Sequence, residues 1–197
     1  MSDFIDFKFS ENKSNSFLGG NPIMNNKVDT KLNFICQIDL KDFNVDTLPK
    51  KGILYFYYDL SNDINYDLNN KNRCMVFYEN KFLKKEYLNN INIKKNYLEK
   101  TNDSFIIRLL GDEVSTNFHK ENIELLDRRY DLSKNPKILN YVLEDVKNKC
   151  EEWILLLQIN SNESIKIGDM GALYFYIKKS DLVNLDFSNV YCIKESF

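Results

Sequence analysis

Histidine is nearly absent: His119 is the single one in 197 residues. That scarcity excludes any site needing two imidazoles and weakens the case for a nucleophile activated by histidine. Metal-binding frames are missing too, with no CxxC, no HExxH and no Asp-rich calcium loop closed by Glu. The Gly19-Gly20 pair lacks the third glycine of a dinucleotide fingerprint and the following lysine of a phosphate loop. No cofactor and no metal are therefore expected. Nowhere do about 18 apolar residues run uninterrupted, so no membrane span is expected. The opening MSDFIDFKFSENK has neither the basic start nor the apolar run of a secretory leader. The four cysteines, Cys36, Cys74, Cys150 and Cys192, form no close pair, which points to a reducing, cytoplasmic setting. Charge of one sign is lacking as well: 27 basic residues face 29 acidic ones for a net −2. Pairs such as Lys84-Lys85 and Lys94-Lys95 sit among Asn, Glu and Tyr as a solvated face, not as a phosphate-binding stripe. Nucleic acid is not an expected partner.

What is present is aromatic and repetitive. Twelve Tyr and fourteen Phe fall largely in short β-like runs, as packed sheets require. Asn abounds throughout, a bias that carries little functional meaning because regular apolar strands interrupt it. The chain also aligns on itself. LNFICQIDL (32–40) matches WILLLQINS (153–161), with Gln37 and Gln158 equivalent. After a polar connection, Gly52 opens GILYFYYDL and Gly171 opens GALYFYIKK. Cys74 in NRCMVFYEN then lies 22 residues after Gly52, and Cys192 in NVYCIKESF lies 21 after Gly171. Each half reads as loop, strand, turn, strand, connection, strand, and neither could cover its apolar faces alone.

Period-two alternation places Leu54, Phe56 and Tyr58 on one face of the first strand, and Ile53, Tyr55 and Tyr57 on the other. The second strand divides into Leu173, Phe175 and Ile177 against Ala172, Tyr174 and Tyr176. Both faces are largely apolar, so these strands should be covered on both sides. Between the halves, residues 80–102 mix helix and loop signals. SFIIRLL (104–110) reads as a strand closed by Gly111-Asp112. Residues 117–132 and 135–148 read as helices capped by Asn117 and Asn135, the second with Pro136 at its first position.

The second half carries the more specific pattern. WILLLQINSNESIKIGDMGALYFYIKKSDLVNLDF (153–187) resembles the YwqG-like family, a domain family of unknown function, with its LLLQID-like strand, WGD-x-G-like turn and LYFFI-like strand. SFLGGNP (16–22), FICQIDL and LPKKGILYFYY are similar to the family's first-half motifs. Two departures stand out. KILNYV, with Lys137, Asn140 and Val142, replaces a His-x-x-Gly-Tyr-Pro-like loop, and Ile167 stands where Trp is usual. The resemblance covers most of 16–60 and 135–197. It implies an α+β fold, a mainly antiparallel sheet built from two pseudo-repeated β-rich units with a few short helices. The expected organisation is a single domain over 1–197, with repeat one at about 16–80 and repeat two at about 135–197. Relatives near bacterial toxin and immunity genes imply inhibitory protein binding.

The candidate site residues are Tyr55, Tyr57, Tyr174, Tyr176, Gln37, Gln158 and Asp169. The tyrosines either line a shared groove, offering ring area and a hydrogen-bonding hydroxyl, or fill the sheet interior with hydroxyls at a covering layer. The glutamines either bind a ligand's polar edge or tie down the loop before each strand. Asp169 in IGDMG is either an acid near Asp39 or Asn160, or an Asx turn. A lone carboxylate is a poor catalyst, and no catalytic residue is expected. The reading that follows is a cytoplasmic, non-enzymatic protein that recognises another protein, as an immunity or accessory factor. The alternative is a small-molecule binder or hydrolase with a cleft between the halves.

Overall fold

The computed structural model describes residues 4–42, 46–60, 73–80, 85–110, 152–168 and 170–195. In chain order these form β1 (Ile5–Ser10), β2 (Phe17–Leu18), β3 (Ile23–Met24), β4 (Asn33–Asp39), a 3-10 turn (Leu40–Asp42), β5 (Ile53–Tyr58) and β6 (Cys74–Glu79). They continue with β7 (Lys85–Glu86), β8 (Asn96–Thr101), β9 (Ile107–Leu109), β10 (Trp153–Asn160), β11 (Ala172–Lys178), α1 (Lys179–Val183) and β12 (Tyr191–Glu195). Ten strands make one antiparallel sheet in the order β12-β11-β10-β9-β1-β8-β2-β4-β5-β6, and β3 pairs with β7 in a small second sheet.

The α+β expectation is corrected by this architecture. The molecule is mostly β, a nearly closed, barrel-like sheet, and α1 is the single α-helix among the described residues. Helix propensity is a weak local preference that tertiary pairing overrides. Residues 80–102 show it directly: they supply β7 and β8, and β8 lies between β1 and β2 in the middle of the sheet. The run 104–110 is a strand only over Ile107–Leu109. The helices expected at 117–132 and 135–148, His119, and the KILNYV segment lie outside the described residues.

β1 reaches the sheet centre for a reason visible in its alternation. Ile5 and Phe7 face the core, while Asp6 and Lys8 face outward to Arg108 and Glu99. It pairs with β8 on one side and β9 on the other.

Curvature comes from two bulges. The β4–β5 register slips between Phe34 and Cys36, and the β10–β11 register slips between Leu155 and Leu157. Each bulge bends its strand and raises the local twist. Each also puts two successive residues, Ile35-Cys36 and Leu156-Leu157, into the same core. The sheet thereby curls until Phe56 of β5 meets Phe175 of β11 edge-to-face, ring centroids 5.3 Å apart. One continuous core results, joining Leu54 and Phe56 to Leu173, Phe175 and Ile177. β6 also approaches the loop that leads into β12: the Tyr78 and Phe187 rings lie 6.1 Å apart.

Candidate functional site

The outward face of β4 and β5 is roofed by the β3–β7 sheet. Phe17, Phe34, Ile53, Tyr55 and Tyr57 pack there with Met24 in a second apolar cluster. Phe34 meets both Phe17 and Tyr57 edge-to-face, at 6.0 and 5.5 Å, the geometry aromatic quadrupoles prefer.

Side chains from three adjacent strands grip the backbone of residues 23–25. Gln37 of β4 accepts from Ile23 N at 2.9 Å and donates to Asn15 O at 2.8 Å. The Tyr55 hydroxyl of β5 shares its one proton between Ile23 O at 2.8 Å and Glu79 Oε2 at 3.1 Å. Glu79 of β6 accepts from Asn25 N at 3.0 Å. The two-residue strand β3 is too short to hold its place by its own ladder, and these buried groups fix it. Asp39 has a comparable duty, accepting from Asn15 Nδ2 and Lys41 N, while its own N–H donates to Ser16 Oγ.

These environments govern titration. Burial, reinforced by the Glu79 charge, pushes both the Tyr55 and Tyr57 hydroxyls above their ordinary 10.0, and burial alone raises the Cys36 thiol. Such groups stay protonated at neutral pH and serve as hydrogen-bonding or apolar surface.

Beside the roof opens a shallow cleft of about 70 Å³. Its floor includes Phe34, Tyr57 and Leu32; Lys27 and Asp29 stand in its wall, and Leu88, 85% exposed, belongs to its lining. Tyr57 is 4% exposed and directs its hydroxyl to Met24 Sδ at 3.6 Å. Asn89 braces one wall, its amide donating to Gly20 O and Phe34 O and accepting from Phe34 N.

The other candidates lie elsewhere. Tyr174 and Tyr176 are buried on the outward face of β11, their rings stacked at 6.3 Å. Gln158 donates to Asn160 Oδ1 at 2.8 Å, and its neighbour across the ladder is Arg108. That guanidinium forms a bidentate pair with Asp6 at 2.7 and 2.8 Å and stacks near Phe4 and Phe105. Because Phe56 and Phe175 meet inside the barrel, the two tyrosine pairs point outward from strands on opposite sides of the core. The structure thus brings Gln37, Tyr55 and Tyr57 under one roof and keeps Gln158, Tyr174 and Tyr176 apart from them. Asp169 lies outside the described residues.

Sequence reasoning missed Glu79 and Asn89. Glu79 carried a signal, since it is a carboxylate closing the otherwise apolar strand CMVFYE. Asn89 carried none, being one Asn among many. Among the described residues, no group of three His, Cys, Asp or Glu could hold a metal ion, and no helix is long and apolar enough to cross a membrane.

A family model described as "Domain of unknown function (DUF1963)" matches residues 16–195. No curated protein matches the chain.

Proposed function

The chain belongs to the DUF1963 family of domains of unknown function, and from that premise we propose that it is a non-enzymatic binding protein recognising another protein, as an accessory or immunity factor. The cleft beside the roof carries this reading. The polar groups under the neighbouring roof that resemble catalytic candidates, Gln37, Tyr55 and Glu79, are committed to holding residues 23–25 and do not line the cleft. What is left facing solvent is a small, mostly polar concavity over the buried Phe34 and Tyr57, with the exposed Leu88 in its lining. At about 70 Å³ it is well below the range for small-molecule sites, about 300–1,000 Å³, and suits at most one anchoring side chain of a partner. Placement among YwqG-like proteins rests on the motif resemblance. An origin by duplication is supported by the matching bulges and by the pairings Gln37 with Tyr55 and Gln158 with Tyr174.

The test is a tagged pull-down from native-host lysate with mass spectrometry, comparing wild type with Leu88→Glu. A single saturable partner lost in the variant, with an unchanged melting temperature, supports the reading. No partner, or binding indifferent to Leu88→Glu, overturns it. The opposite charges of Lys27 and Asp29 in the cleft wall favour a second reading, a small zwitterionic ligand. Saturable thermal stabilisation by such a metabolite, without any protein partner, would establish it instead.

A further inference from the structure

The ten-stranded sheet ends at β6 and β12, and each of these strands carries a cysteine where the ends converge. Cys74 opens β6; Cys192 is the second residue of β12. The Cys74 thiol donates to Val190 O at 3.5 Å, two residues before Cys192, which makes the two cysteines neighbours across the seam. Both cysteines are half-buried against the core, and neither is in a disulfide. Among the described residues, β6 takes its ladder from β5 and β12 from β11, so the contacts described across the seam are made through side chains such as Tyr78 and Phe187. The surroundings of Cys192 act in opposite directions. Burial above all, together with the Cys74 neighbour, holds its thiol well above the ordinary 9.0, and the Arg73 charge offsets this only in part.

We propose that Cys74 and Cys192 form a thiol–disulfide site whose oxidation by a small disulfide of the glutathione class joins β6 to β12 and closes the barrel covalently. One protein thiolate attacks a sulfur of the small disulfide, breaking its S–S bond and releasing one thiolate. The second protein thiolate attacks the resulting mixed disulfide at the protein sulfur, forming the Cys74–Cys192 bond and releasing the other. Two protein S–H bonds are lost and one S–S bond forms, while the two electrons reduce the small disulfide to two thiols. The thiols are brought together by the sheet, so the second step is intramolecular and favoured over capture by another small molecule. The closed loop would tie together residues distant in sequence, which restricts the unfolded chain most.

The full-length protein, incubated natively with oxidised glutathione, is alkylated and mapped by mass spectrometry under non-reducing conditions. The expected result is a fragment linking Cys74 to Cys192, released by reductant, with a melting temperature raised on the order of 5–10 °C. Cys36, fully buried in the core, should react only after denaturation. Cys74→Ser should leave Cys192 as a mixed disulfide with glutathione. The inference is overturned if both wild-type thiols remain alkylatable, if each stops at its own mixed disulfide, or if the link involves Cys36 or Cys150. The wild-type map decides the matter even if the variant folds poorly.

Discussion

Gln37 and Gln158 occupy matching places in the chain's self-alignment yet differ in what depends on them. The Gln37 amide is fully buried and joins Asn15 O to Ile23 N, so Gln37→Ala strands two backbone groups where water cannot easily replace it. At about 1–3 kcal/mol for each unsatisfied group, a loss of about 2–6 kcal/mol is expected. Gln158 is half-buried and bonds only to another side chain in its described contacts, and Gln158→Ala should cost about 1 kcal/mol or less. Urea denaturation of the two variants checks this; equal losses would contradict it. Tyr57 makes a second test. Its buried hydroxyl has a folded-state pKa raised above the ordinary 10.0, so the stability it contributes is complete below about pH 10. That stability is lost as pH rises from there toward the folded value, because the unfolded chain ionises first. Stability should decline above pH 10 by up to about 1.4 kcal/mol per pH unit for each such hydroxyl. Tyr57→Phe, which forfeits only the weak contact to Met24 Sδ, should make that alkaline decline shallower while changing neutral stability by less than about 1 kcal/mol. Denaturation measured between pH 8 and pH 11 would show an unchanged slope if the hydroxyl were not the titrating group.

Strand β5 was the most legible element. ILYFYY alternates between faces as expected, Leu54 and Phe56 entering the barrel core and Ile53, Tyr55 and Tyr57 the roofed cluster. Its start depends on Gly52, whose φ of +106° is strained for any other residue; an added Cβ would stand 2.6 Å from Glu79 O. That oxygen belongs to the neighbouring strand backbone and cannot swing aside, so Gly52→Ala should destabilise by about 2 kcal/mol or more. A calorimetric melting point within a degree of wild type would refute this account. β1 was legible in principle, since IDFKF alternates strictly, but an N-terminal run of six residues gives no hint that it occupies the sheet centre. β8 was harder: NYLEKT buries Leu98 alone among its six residues, too little for a periodic signal. Its conformation is imposed by the strands flanking it.

The molecule as a whole is organised around one core that mixes Ile5, Phe56 and Phe175, residues far apart in sequence. It should therefore unfold in a single cooperative transition, with tyrosine fluorescence and far-ultraviolet dichroism coincident. The Phe56–Phe175 contact can be isolated by a double-mutant cycle of the two alanine variants, with an expected coupling of about 0.5–1.5 kcal/mol. Two separate transitions, or a coupling near zero, would mean that the halves do not share their interior. From the sequence alone came the strand pairs around Gln37 and Gln158, the two-faced burial of the LYFY strands and the absence of histidine- or metal-based motifs. These follow from local periodicity and composition, which a linear chain displays openly. Only the tertiary structure decided that the sheet is a curled, mostly β barrel instead of an α+β fold, that the tyrosine pairs face apart, and that Cys74 approaches Cys192. Strand order and curvature depend on long-range pairing and on bulges at Ile35 and Leu156, and their stabilisation is realised only when distant residues share one core.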